Sequence, residues 1–369
     1  MKETVSIIIV NYNGRKYLGP CLDSLARADH GDFPPEIIMV DNLSKDDSVS
    51  FVREGYPQVK IIHSDVNNYA RALNLGIKQS RSDYIAILNN DVTVEINWLN
   101  GLIEVMSRDQ RIGVVQSKIL FSDGQTINSV GVEEAEEFYF RDIAIRQKDN
   151  GQYDEVRELM YFSGGSALLR RSCVKSIGGF DEDFMFYVED LDYSVRCRKK
   201  GWKIFYCPQS VVYHVFHGSS PLDFCEYFCS RNRLLFIAKH FPLKLPEGIR
   251  TSHFRHRNQY DALNHSVIQA IAKMVDNHDI LISRKVLDEL KDITVGLFKD
   301  DKAYNFPDYM LAHNRCFSTT GQRLTEAFQH KTRGPIRAFK RMVRIIWTTL
   351  VTRTMSIVKS LMRNKADEK

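Results

Sequence analysis

Residues 178–192 read Gly178-Gly179-Phe180-Asp181-Glu182-Asp183-Phe184-Met185-Phe186-Tyr187-Val188-Glu189-Asp190-Leu191-Asp192, six carboxylates set among aromatic rings behind two glycines. A plain core segment would not concentrate charge in this way, because an unpaired carboxylate is expensive to desolvate. In such a setting a carboxylate can instead serve as a tuned base. An acidic first helical turn favouring the helix dipole accounts for part of the charge, but not for the frame of aromatics and glycines. A second constellation is Asn89-Asn90-Asp91, directly after the apolar run 84–88. A carboxylate there, beside small polar residues, suits a hard divalent cation that also holds phosphate oxygens. The plainer reading is a turn in which Asn and Asp bond the backbone. His214 and His217 follow the apolar run Val211-Val212-Tyr213. A lone histidine at a strand end is more often structural, and two together raise the weight of a functional reading.

These groups need elements to position them. Residues 5–10, 36–40, 59–63 and 84–88 are β-branched or apolar runs, and 14–26 and 69–79 carry helical spacing. Ser44-Lys45-Asp46-Asp47 has the form of a capping box that opens a helix. The alternation predicts an α/β domain with a mostly parallel sheet covered on both faces. Ligands in such sheets bind beyond the strand C-termini. The polar residues cluster there: Asn11-Tyr12-Asn13, Asp41-Asn42 and Asn89-Asn90-Asp91. Residues 121–161 read as an irregular insertion with short strands. A strand is expected over 163–169, a helix over 189–199, short strands over 203–207 and 211–214, and helices from 221 to about 298. Three regions follow: an α/β domain 1–220 (in two halves, 1–120 and 121–220), a helical region 221–330 and a basic amphipathic helix 331–369.

The ordered set Val5-Ser6-Ile7-Ile8-Ile9-Val10-Asn11-Tyr12-Asn13, Asn89-Asn90-Asp91 and the Glu189-Asp190 segment resembles family 2 glycosyltransferases of the GT-A fold, in their rhamnosyltransferase-like branch, over roughly residues 5–235. Asn67-Asn68-Tyr69-Ala70-Arg71-Ala72-Leu73-Asn74-Leu75-Gly76 resembles the family's N-x-G-F-A-x-A-x-N-x-G segment, with Asn68 in the place of a glycine. Asparagine tolerates left-handed backbone angles, which makes the departure mild. Asn89 stands where the family's D-x-D motif has its first Asp.

The resemblance implies an inverting transferase that takes its sugar from a nucleotide-diphosphate donor, dTDP-rhamnose or a UDP-sugar. Asp190 would be the general base, with Glu189 and Asp192 as alternates. Asp91, with His214 or His217, would hold Mg²⁺ or Mn²⁺. Asn11, Asn13, Asp41, Asn67, Asn74, Asn89, Asn90 and Asp91 would line the nucleotide-sugar site. Asp41 could equally cap the next helix, a role for which Ser44 competes. Gly164 and Gly165 would let an acceptor sugar approach the backbone, unless they only form a tight strand entry. Arg231, with Arg233, would position a diphosphate or lie on a solvated helix face. Arg71 faces the diphosphate or is a surface helix charge. The implied acceptor is a bacterial surface glycan, on a lipid carrier. Two rivals stand beside this: a UDP-hexose donor on the same fold, and a catalytically silent scaffold in a glycan-assembly complex. A nucleotidyltransferase would need a Gly- and Lys/Arg-rich loop after the first strand, which Asn11-Tyr12-Asn13-Gly14 does not provide.

The net charge of +5 is uneven. Residues 331–369 hold 11 Lys or Arg against 2 Asp or Glu, so the tail carries +9 and the other 330 residues sum to −4. This argues against a nucleic-acid groove through the body and for a local interaction of the tail. Ile336, Phe339, Val343, Ile346, Trp347, Leu350, Ile357 and Leu361 follow helical spacing with basic residues opposite. Such a helix suits peripheral contact with an anionic membrane, or docks on protein. The seven scattered cysteines suggest reduced thiols and a cytoplasmic protein. Cys225 and Cys229 are read as buried residues and not as a zinc site.

Overall fold

The structure is a computed structural model, and it describes residues 3–31, 33–216, 222–252 and 269. His217 and the tail 331–369 lie outside the described residues. The chain forms two compact units, Met1–Cys225 and Glu226–Lys369.

In the first unit, strands Val5–Asn11 (β1), Glu36–Asp41 (β2), Lys60–His63 (β3) and Tyr84–Asn89 (β4) alternate with helices Arg15–Arg27 (α1), Ser48–Gly55 (α2) and Tyr69–Gln79 (α3). Then come Val92–Val94 (β5), Trp98–Ser107 (α4) and the long strand Ile112–Phe121 (β6). The irregular stretch contains Ile127–Ser129 (β7), Val132–Glu136 (β8), Tyr139–Asp142 (β9) and Arg157–Glu158 (β10). Ser166–Arg170 (β11), Arg171–Ile177 (α5), Glu189–Lys199 (α6) and Lys203–His214 (β12) complete the domain, and Leu222–His240 (α7) and Leu245–Arg250 (α8) follow.

The main sheet runs β10-β12-β6-β11-β4-β1-β2-β3. β3, β2, β1 and β4 are parallel, as are β6 and β12, while β11 runs antiparallel between β4 and β6. The fold is therefore α/β with a mostly parallel sheet. All seven residues of β1 are buried, as expected of a strand covered on both faces. Its side chains alternate: Val5, Ile7 and Ile9 join one core cluster, Ile8 and Val10 the other. Each such isoleucine contributes roughly 1.5–3 kcal/mol by leaving water. Helix α3 lies close on this sheet, because a Cβ on Gly76 would come within 2.5 Å of Ile8 Cγ2. Trp98 is fully buried, and its Nε1–H donates to Ser117 Oγ on β6 and Ser166 Oγ on β11.

Four local expectations change. The strand expected from residue 163 begins at Ser166; the N–H groups of Ser163 and Gly164 go to Gln116 Oε1 and Asp190 Oδ2 instead of a neighbouring strand. The two strands around Pro208 are one, with a register shift between Cys207 and Val211, where proline's missing N–H breaks the ladder. The capping box is absent: α2 starts at Ser48 behind Asp47, with no side-chain cap. Of the two cysteines read as core, Cys225 is buried but Cys229 is exposed, although a four-residue step keeps both on nearly the same helix face.

Candidate active site

The C-terminal ends of β1, β2 and β4 carry the residues expected to hold a nucleotide, and the structure brings them together by hydrogen bonds. Asn11 and Asp41 are register partners. Asn11 Nδ2 donates to Ser44 Oγ (3.1 Å), and Asn90 Nδ2 donates to Asn11 Oδ1 (2.8 Å). Asn13, in the left-handed region at φ 48°, donates its N–H to Ser44 Oγ and accepts from Lys45 N–H. Ser44 therefore binds this asparagine turn instead of capping α2. A Cβ on Gly14 would fall 2.0 Å from Asn90 Nδ2 and 2.4 Å from Asn11 Oδ1, so only glycine leaves room for that pair. Asp41 is buried; its Oδ1 accepts from Ser44 N–H, and His63 Nδ1 lies 3.5 Å from its Oδ2. Asn67 Oδ1 accepts from Asn42 Nδ2 (2.8 Å), which ties the β2 and β3 loops together.

The segment 67–76 is used differently from expectation. Asn68 has extended backbone (φ −148°), not the left-handed geometry that would explain it as a glycine substitute. It is there as an N-cap, accepting from Arg71 N–H at 3.0 Å. Asn74 turns toward the 178–192 loop, where it bonds Phe180 and Glu182. Arg71 is an ion-pair residue: it meets Asp65 with two bonds and Glu182 at 3.2 Å.

That loop climbs to α6 through Met185, Tyr187 and Val188, all at φ between 64° and 70°. Positive φ at a β-branched residue is a local strain of order 1–3 kcal/mol, and here it immediately precedes Glu189-Asp190. Asp190 is clamped in the first turn of α6. Its Oδ2 accepts from Gly164 N–H and its Oδ1 from Leu191 N–H, both at 2.8 Å. Burial pushes its carboxyl up to about 6, although those backbone bonds oppose the shift. Glu189 is 5% exposed, Oε2 makes no hydrogen bond among the described residues, and burial beside Asp190 pushes it well above the carboxylate range. Asp192 is excluded as an alternate base: it is fully buried and its Oδ2 binds Arg196 Nε at 2.8 Å.

Across from this turn, His214 Nε2 lies 3.2 Å from Asp91 Oδ1. Its Nδ1 meets Asn128 Oδ1 at 2.8 Å. An amide oxygen only accepts, so Nδ1 carries the proton. A neutral imidazole would then point the Nε2 lone pair at a carboxylate, an arrangement relieved by a second proton or by a cation. The donor set, one imidazole nitrogen and one carboxylate, suits Mn²⁺ or Mg²⁺. Among the described residues no group of three or more His, Cys, Asp or Glu converges as a metal site, and within them this pair is the candidate.

Two residues that sequence reasoning passed over join the site. Tyr69, the first residue of α3, donates its hydroxyl to Asn89 Oδ1 (2.8 Å). Burial and the charges of Glu189, Asp190 and Asp91 hold that hydroxyl well above the usual phenol range. Asp142, from the β8–β9 hairpin, is pushed up to about 6 by burial; Ser129 and His214 pull against that shift, and Asp142 in turn raises Asp190. No sequence signal marks Asp142, which sits in the stretch read as irregular. Gly164 serves the site through its N–H, and a Cβ on Gly165 would touch Ile119 Cδ1 at 3.3 Å. Arg231 belongs to the second unit. Arg231, Asn232 and Arg233 are all buried there, which removes the solvated-face reading. Arg233 bonds Gly248 O (2.8 Å) and Thr251 Oγ1 (2.9 Å) at the end of α8.

A model of glycosyl transferase family 2 matches residues 6–178. The chain is 26% identical over 262 residues to N-acetylglucosaminyl-diphospho-decaprenol L-rhamnosyltransferase of Mycobacterium tuberculosis, covering 64% of this chain and 84% of that protein. It is 22% identical over 228 residues to the O-antigen chain rhamnosyltransferase of Salmonella typhimurium, covering 61% and 70%. Among solved structures it is similar to GalNAc-T7 with UDP, GalNAc and Mn²⁺ (TM-score 0.49, 17% identity), covering 65% of this chain and about half, 52%, of that one. Over residues 6–178 the chain is therefore similar to the family 2 glycosyltransferases, and the curated relatives it matches include rhamnosyltransferases.

Proposed function

We propose that the site transfers a sugar, with inversion, from a nucleotide-diphosphate donor to an acceptor hydroxyl, with Asp190 as the base. The observation that carries this is the Asp190 carboxylate. It is clamped by two backbone N–H groups, raised to about 6, and holds no ion pair among the described residues. A group so poised is mostly ionised near neutrality yet basic enough to take a hydroxyl proton. The acceptor O–H bond breaks as its proton passes to a free lone pair of Asp190. The acceptor oxygen bonds the anomeric carbon on the face opposite the leaving group, and the electron pair of the broken C–O bond leaves with the nucleotide diphosphate. One carboxylate suffices, because no covalent sugar intermediate has to form.

Asp91 and His214 would hold Mn²⁺ or Mg²⁺, which when bound would offset the charge of the departing diphosphate. Asn11, Asn13, Asp41 and Asn90 form the polar rim for the nucleotide. The M. tuberculosis and Salmonella relatives, both rhamnosyltransferases by name, favour dTDP-rhamnose as donor over a UDP-hexose. The name of the former also favours a lipid-diphosphate-linked acceptor. The poised Asp190 weighs against a silent scaffold. Turnover of dTDP-rhamnose and UDP-sugars on such an acceptor, with Mn²⁺ or Mg²⁺, tests the reading; a product that keeps the donor's anomeric configuration would overturn it.

A further inference from the structure

We infer that Tyr69 is a positioning residue for the donor: its hydroxyl takes the side-chain oxygen of Asn89, so that the Asn89 amide presents its NH₂, and not its carbonyl, to the diphosphate sugar. The inference rests on the reading that the donor binds over Asn89–Asp91.

Three observations carry it. First, Tyr69 O–H donates to Asn89 Oδ1 at 2.8 Å. That bond fixes which way the amide faces, and Asn89 Nδ2 lies toward Gly165, 3.8 Å from where a Cβ on that glycine would stand. Second, the tyrosine is rigidly placed. Asn68 caps its helix from the preceding position, and Gly76 on the same helix lies against Ile8. Third, its hydroxyl stands in the field of Asp91, Glu189 and Asp190. Burial first, and then these acidic groups, oppose ionisation of the phenol, so the hydroxyl stays a donor and needs an acceptor. A carboxylate at position 89 would add a further acidic group beside Asp91, Glu189 and Asp190. The amide instead gives Tyr69 a neutral acceptor and turns two N–H donors toward an anionic ligand.

Calorimetric binding of dTDP and UDP, each with Mn²⁺, to the full chain tests this. Tyr69→Phe keeps the ring and removes only the hydroxyl. It should weaken nucleotide binding about tenfold, the effect of one lost hydrogen bond. It should also raise donor KM by a similar factor with kcat nearly unchanged, a split that a merely structural tyrosine would not give. Asn89→Ala should lose about as much, and the Tyr69→Phe/Asn89→Ala double variant should be no weaker than Asn89→Ala alone. Unchanged binding in Tyr69→Phe, or losses that add in the double variant, overturns the inference. Asp91→Ala separates the two claims. If it binds nucleotide normally while Tyr69→Phe does not, the metal reading fails and the role of Tyr69 stands. If Asp91→Ala is weak and Tyr69→Phe normal, the reverse holds.

Discussion

Asn74 and Phe180 exchange two hydrogen bonds. Asn74 Nδ2 donates to Phe180 O at 2.8 Å, and Phe180 N–H donates to Asn74 Oδ1 at 2.8 Å. A side-chain amide thus acts as a strand partner for the loop that leads to Asp190, and fastens it to α3. Gly179 is part of the fit, since a Cβ there would fall 2.3 Å from Asn74 Oδ1.

Asn74→Ala leaves the Phe180 N–H and C=O without these partners and should destabilise the domain by about 1–3 kcal/mol. Gly179→Ala should do similar harm by displacing the amide. Urea unfolding measures both. A midpoint equal to that of the wild type in both variants would refute the role given to this pair. Because the loop carries the base, kcat should fall more than donor affinity.

Asp190→Asn should cut kcat by about 10²-fold or more while nucleotide binding stays nearly intact. In the wild type, kcat/KM should rise with pH through about 6, where the carboxyl ionises. Stability should move the opposite way. The folded-state pKa is raised, so the stabilisation from holding the proton is complete below about 4 and is lost as pH rises through about 6. Asp190→Asn should therefore lose the fall in melting temperature that the wild type shows from this group between pH 4 and pH 8. Asp192→Ala should instead be destabilised, by roughly 3–5 kcal/mol, because it strands Arg196. Thermal melts across pH separate the two carboxylates.

Asp91→Ala and His214→Ala should each weaken Mn²⁺ binding at least about tenfold, as removal of one of two protein ligands requires. Excess EDTA should abolish transfer, and added Mn²⁺ should restore it. Full activity in EDTA would remove the cation from the reaction. Asn128→Ala, which frees the His214 ring, should give a smaller loss of the same kind.

The tail carries +9 over residues 331–369. Among the described residues no helix is long and apolar enough to cross a membrane, and the tail lies outside them. On its charge, the chain should bind anionic vesicles in a salt-sensitive way, by roughly 1 kcal/mol per basic residue near the surface. Removing residues 333–369 should abolish that binding and spare transfer to a soluble acceptor. A shortened chain that floats with vesicles as the full one does would refute the assignment.

The alternation of strands and helices through residue 89 was legible because one-dimensional periodicity reports which faces are buried: α3 and α6 run over the residues their spacing predicts. Glu189-Asp190 and Asn89-Asn90-Asp91 stood out in the sequence as candidates, because charge beside apolar runs is costly unless it is used. Tertiary structure alone decided what each polar group touches. Asp192 and Asp190 are two residues apart on one helix, yet one meets Arg196 and the other two backbone N–H groups. Asn74 and Asn67 share a residue type and a motif, but one fastens a loop and the other joins the strand-end network. Asp142 and Tyr69 entered the site only when a hairpin and a helix start were packed against it. Hydrogen-bond partners and local fields depend on residues far away in sequence. Periodicity records burial along the chain and contains no information about which distant group lies opposite.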